Sequence, residues 1–212
     1  METIQKIGFD LSQIAEAFNI VRDNSCMHLN DWLNASYTLS EEENHIIDRV
    51  YDQIADSGDY WNEEELKIKA VGLFFFLADV SVKNRIEVFY KRSLSAIVKG
   101  YQLSVITDCM IATQTAFNIP KHPYFFLQEF KKGKGEKRDP EAQMLTAMLI
   151  AQELNKDDKV VYGGYLVGSN WRFTTLIGNA YCISQQYNAA DKNDLLRIIF
   201  ILRKLKELIL AR

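Results

Sequence analysis

The sequence predicts an α/β sandwich: a central mixed β-sheet flanked by helices, with a helical N-terminal extension. Three observations carry this. Helix-period apolar patterns dominate up to about residue 79, alternating and β-favouring runs take over after residue 84, and one amphipathic helix closes the chain. Helices, about three strands, a helix, two or three more strands and a last helix bury their apolar faces most simply as one sheet covered on both sides.

Taken in order, residues 8–21 repeat Leu11, Ile14, Ala15 and Phe18 at helical spacing. Ser40 and Glu43 form a capping box ahead of a second helix, whose inner face is Ile46, Ile47, Val50 and Ile54 and whose end is Ser57-Gly58-Asp59. Asn62 caps a third helix with Glu63, Glu64 and Glu65 in its first turn, where exposed N–H groups favour acids. That helix runs into AVGLFFFLADV (70–80). These 11 residues fall short of the roughly 20 that span a bilayer, so the run reads as core. RIEVFY (85–90) alternates like a strand, SLSAIVKG (93–100) fits either state, and QLSVITDCMIAT (102–113) is strand-like with Asp108 near its middle. HPYFFLQEFKK (122–132) is an aromatic strand that turns polar at its end, followed by the basic loop GKGEKR (133–138). Asp139-Pro140-Glu141 starts a helix that runs to about 154. VVYGGYLVG (160–168) and WRFTTLIG (171–178) are strands joined by Ser169-Asn170, and AYCISQQY (180–187) is a candidate third. The closing helix places Leu195, Ile199, Leu202, Leu205 and Ile209 on one face, which either docks on the sheet or forms a homodimer seam. The reading divides the chain into an extension, 1–60, and a core, 61–212, that form one unit.

Composition excludes more than it assigns. The 212 residues are enough for one sizeable core. A net charge of −3 excludes binding nucleic acid by bulk positive charge, but not a local basic patch. That patch exists: residues 131–138 hold five cations and one acid. Cys26, Cys109 and Cys182 form no CxxC, which fits a reducing compartment better than a zinc knuckle or disulfide framework. METIQKIGFD lacks the basic and apolar stretches of a signal peptide, so the expected location is cytoplasmic, with no membrane partner. No phosphate-cradling glycine loop and no Gly-x-Ser-x-Gly elbow is present.

The informative segment is YFFLQEFKKGKGEKRDPEAQ (124–143). With a strand period of two, Glu129 and Lys131 share one face and Phe130 takes the other. A carboxylate there can hold a hard divalent cation such as Mg²⁺, and the ammonium can orient a water or neutralise charge on a phosphoryl oxygen. Asp108 is the candidate second carboxylate. Apolar neighbours on both sides put it inside a strand, where a carboxylate is costly unless paired or ligating.

Asp108, then Glu129-Phe130-Lys131 after 20 intervening residues, then Gln143 on the next helix resembles the PD-(D/E)XK nuclease superfamily. The nearer likeness is to the restriction-endonuclease-like domain of type I restriction motor subunits and related stand-alone bacterial proteins. The resemblance implies a restriction-endonuclease-like sheet and metal-dependent cleavage of a phosphodiester, with DNA the expected nucleic-acid partner. Mg²⁺ is the implied cofactor, with Mn²⁺ as a substitute. Asp108, Glu129 and the Phe130 carbonyl are the implied metal ligands, Lys131 and Gln143 the implied catalytic residues, and Glu65, or Glu64 beside it, the outer acid from the preceding helix. Lys132, Lys134 and Arg138 are the implied phosphate contacts. VVYGGYLVGSNWRFTTLIGNAYCI resembles the hairpin that comes after the site in such domains. Thr107 stands where that family commonly has proline. The likeness covers roughly residues 60–190. A nuclease-fold protein without activity, serving as a binding module, is the alternative expectation.

Overall fold

The computed structural model describes residues 5–131 and 139–212. The expected phosphate contacts Lys132, Lys134 and Arg138 lie outside them. Among the described residues is one large mixed sheet with helices on both faces. Its strands are β1 (Gln5–Lys6), β2 (Val21–Arg22), β3 (Ile86–Val98), β4 (Tyr101–Gln114), β5 (Pro120–Lys131), β6 (Val161–Val167), β7 (Asn170–Ile177), β8 (Ala180–Ile183) and β9 (Tyr187–Asn188). The order across the sheet is β1-β4-β5-β6-β7-β8-β2, with β3 on β4 and β9 on β7. The helices are α1 (Leu11–Phe18), α2 (Met27–Leu33), α3 (Glu41–Ser57), α4 (Glu63–Leu66), α5 (Gly72–Leu77), α6 (Pro140–Asn155) and α7 (Lys192–Leu210).

The local signals act as their chemistry requires. Ser40 and Glu43 close a reciprocal capping box at the start of α3, and Asn62 and Glu65 close another at α4. Asp139 caps α6, with Pro140 in its first turn. Lys99 and Gly100 both take positive φ (47° and 83°), forming the tight turn of the β3–β4 hairpin. The stretch 93–100, which fitted either state, is the second half of β3. The third helix is not uniform: a π-helical turn, Lys67–Val71, separates α4 from α5.

The extension is not purely helical. β1 pairs in parallel with the start of β4, and β2 pairs in parallel with β8. Its helices enter both cores. Ile14 and Phe18 lie under the face covered by α6, whereas Trp32 and Ile47 lie in the opposite core with α5 and α7. The apolar face of α7 is used inside the chain: Leu195, Ile199, Leu202, Leu205 and Ile209 are buried. It therefore docks in the chain's own core. Among the described residues, no helix is long and apolar enough to cross a membrane.

Two strand relations and one glycine position the site. β3, β4 and β5 run antiparallel in sequence, and then α6 crosses over to β6, which lies parallel to β5. Close packing under α6 needs Gly163. A Cβ there would stand 2.7 Å from the sulfurs of Met144 and Met148 and 2.8 Å from Thr174 Oγ1. Gly164 points the other way, toward the Phe126 ring. The glycine pair is thus a packing device.

Candidate active site

The site begins where β5 leaves β4. Their ladder runs up to the pair Cys109–Gln128. Asp108 and Glu129 are the next residue on each strand. In place of a further backbone bond, the Asp108 carboxylate enters the gap, and its Oδ2 accepts the Phe130 N–H at 2.8 Å. β5 continues alongside β6, where Glu129 pairs with Tyr165. The result is a fork with an acidic side chain from each arm.

Both carboxyl groups are buried, Asp108 at 3% exposure and Glu129 at 1%. Desolvation, then the Asp108 charge and a hydrogen bond to Asp108, push the Glu129 carboxyl up to about 9; Lys131 and Lys91 act in the opposite direction. Glu129 therefore holds a proton at neutral pH and shares a polar contact with Asp108. Its Oε1 is buried and has no hydrogen-bond partner among the described residues. A buried polar atom left in this way is costly unless a ligand supplies the partner.

Strand alternation fixes the face. Leu127 belongs to the core under α6, so Glu129 and Lys131 project on that side. The first turn of α6 closes over it. Glu141 accepts hydrogen bonds from Tyr165 at 2.8 Å and Tyr181 at 2.9 Å. Burial, together with Glu141, raises both phenols well above their usual range, so they stay protonated donors. Gln143, two residues on, is 6% exposed, and its Oε1 is also without a hydrogen-bond partner among the described residues.

One residue of the site was not anticipated. Lys91 lies across from Asp108, between the ladder pairs Tyr90–Cys109 and Arg92–Thr107. Its φ of 49° interrupts β3. Its ammonium hydrogen-bonds Asp108 Oδ1 and lies 3.1 Å from Glu63 Oε1. Desolvation alone would lower the Lys91 pKa, but the Asp108 and Glu63 contacts outweigh it and raise it above the usual lysine range. The only hint in the sequence was a charge at the centre of a strand.

The preceding helix brings its first turn to the same place. Glu63 reaches Asp108 through Lys91. Glu64 lies 2.6 Å from the mostly buried Lys67. That hydrogen bond lowers the Glu64 carboxyl pKa, and the charges of Lys91 and Asp108 also act on it. Glu65 is engaged elsewhere: it accepts from Asn62 N at 3.0 Å and pairs with Lys69 at 2.9 Å. Thr107, at the usual proline position, donates to the Arg92 carbonyl at 3.2 Å and braces β3 against β4.

The donor set available to a divalent cation is two carboxylates and backbone oxygen. Among the described residues, no group of three or more His, Cys, Asp or Glu side chains is placed to hold a metal ion. Glu129 Oε1 fits a hard cation, because it is a buried carboxyl oxygen without a hydrogen-bond partner among the described residues. Asp108 Oδ1 fits one on exchange for the lysine ammonium, which already stands there as a positive charge.

No protein-family model matches the chain, and no curated protein matches it.

Proposed function

We propose that the chain is a Mg²⁺-dependent phosphodiesterase acting on nucleic acid, most simply DNA. The observation that carries this reading is the fork: Asp108 and Glu129 in contact where β4 and β5 part, with Glu129 Oε1 unpartnered and Lys131 on the same face. Supporting it is the chain order, in which Asp108 sits on the second strand after the acidic helix. Glu129 and Lys131 sit on the third strand, and Gln143 on the helix after it. This is the arrangement the restriction-endonuclease-like resemblance implies.

In this mechanism Asp108 and Glu129 would hold the cation, with the Phe130 carbonyl as a further ligand. When bound, the cation lowers the pKa of a water and polarises the scissile phosphate. Glu129 would act as a ligand in its deprotonated form. Lys131 orients the attacking water and stabilises charge on the phosphoryl oxygens. Gln143 would support that water through its amide oxygen, which has no hydrogen-bond partner among the described residues. Glu63 holds Lys91 against Asp108, and Glu64 holds Lys67. The basic segment 132–138 contributes phosphate contacts through Lys132, Lys134 and Arg138.

A second reading has its own observation. The Lys91 ammonium on Asp108, with Glu129 protonated, neutralises the site without a metal. Such a fork suits a nuclease-fold binding module. The two readings separate by experiment. Circular and linear DNA and RNA are incubated with Mg²⁺ or Mn²⁺ and the wild type, Glu129→Ala or Lys131→Ala, while calorimetry measures Mn²⁺ binding. Cleavage by the wild type alone, with Mn²⁺ heat lost in Glu129→Ala, supports the enzyme. No cleavage of any substrate and no Mn²⁺ heat overturns it and leaves the binding module.

A further inference from the structure

The two cysteines outside the site meet across the sheet edge. Cys26 precedes α2 in a left-handed conformation (φ 46°) and donates its thiol to the Asp23 carbonyl at 2.6 Å. Cys182 on β8 donates to the same oxygen at 3.4 Å. Both thiols thus converge on one carbonyl oxygen, which brings the two sulfurs to the same place. The β2–β8 pairing, extended by Asp23 N–H on the Tyr181 carbonyl at 2.9 Å, holds the strands in that register. Cys26 lines an open groove of about 420 Å³ with Arg22, Asp23, Asn30 and Gln185. Cys109, by contrast, lies inside β4 at 0% exposure.

We propose that Cys26 and Cys182 are a dithiol pair that a peroxide converts to an intrachain disulfide. Cys26 reacts first, because it borders the groove. Burial pushes the Cys182 thiol up to about 12, so it stays protonated until its neighbour changes. The Cys26 sulfur attacks one peroxide oxygen, the O–O bond breaks and one water leaves, giving a sulfenic acid. The Cys182 sulfur then attacks the Cys26 sulfur, its proton leaves with the hydroxyl, and a second water departs. The two thiols lose two hydrogens in all, and hydrogen peroxide is reduced to two waters. The bond ties the turn after β2 to β8 and so fastens the extension covalently to the sheet. The pair stands apart from the fork, and its chemistry is independent of the nuclease reading.

The test uses the folded full-length chain, treated with hydrogen peroxide, alkylated, digested without reduction and analysed by mass spectrometry. The expected product is a Cys26–Cys182 linked peptide that disappears on thiol reduction, with Cys109 alkylated only after unfolding. Cys182→Ser, confirmed folded by circular dichroism, is expected to accumulate Cys26 oxygen adducts instead. Separate oxidation of Cys26 and Cys182 in the wild type without a cross-link overturns the proposal. So does a cross-link that forms equally with Cys109.

Discussion

Asp108 accepts the Phe130 backbone N–H at 2.8 Å, so a side chain fills the gap that opens as β5 departs from β4. The same carboxylate also holds the Lys91 ammonium. It is therefore a structural clasp and an electrostatic centre, and the two roles can be pulled apart.

Asp108→Asn keeps an acceptor for Phe130 N–H and removes the charge. Asp108→Ala removes both and leaves a buried donor unpaired, which costs about 1–3 kcal/mol. Urea denaturation is expected to place alanine below asparagine by that margin, while both variants lose Mn²⁺ heat in calorimetry. Equal stability of the two would remove the clasp.

Glu129 gives a pH dependence of definite sign. Folded, it keeps its proton up to about 9; its ordinary value is 4.5. Between these values the folded state binds more protons than the unfolded one, so this group's contribution to stability falls as pH rises. The slope approaches about 1.4 kcal/mol per pH unit for one proton. Glu129→Gln is expected to flatten the stability profile between pH 5 and 8, without a cation present. A profile identical to wild type would mean that Glu129 is ionised in the fold.

Lys91→Met leaves the Asp108 charge without its ammonium. Because the Lys91 side chain is 47% exposed while Asp108 is 4%, solvent screens part of the loss. The expected cost is about 1–2 kcal/mol rather than the full penalty of a deeply buried pair. On the cation reading, millimolar Mn²⁺ restores that stability and binds Lys91→Met more tightly than wild type. Unchanged Mn²⁺ affinity would show that the lysine and the metal do not compete.

Gly163→Ala tests the packing of α6. The added methyl meets two methionine sulfurs, which can move, and the Thr174 hydroxyl, which is fixed on β7. A loss of about 1–2 kcal/mol is expected in thermal or urea unfolding. Gly164→Ala, nearest the Arg172 carbonyl at 3.2 Å, presses on backbone instead and provides the comparison.

How legible each feature was in the sequence depends on how local its signal is. The caps of α3, α4 and α6 lie within four residues of chain, so their starts were legible. α2 was not: Cys26 makes no side-chain cap bond there, and only Leu29 and Trp32 of its residues are buried. β1 and β2 are two residues each and exist through partners 96 and 159 positions away, for which no local pattern exists. In the site, alternation placed Glu129 with Lys131. The contact of Asp108 with Glu129 depends on where β5 diverges, which is tertiary. Lys91 was invisible because a positive φ at a lysine has no composition signal. The same limit applies to the acidic helix, where spacing could not separate Glu64 from Glu65 and the folded turn divides their partners.

The kink at Lys91 bears on more than the site. Among the described residues β3 pairs with β4 along one side, and its other side meets only Val82, in a bridge at Ile86. Its 13 residues make it one of the longest strands, and a free edge of that length invites another chain to add a strand. A left-handed residue midway cuts that edge into two short runs, and Lys91-Arg92 place charge at the break. The residue that balances Asp108 therefore also shortens the edge on offer for strand addition.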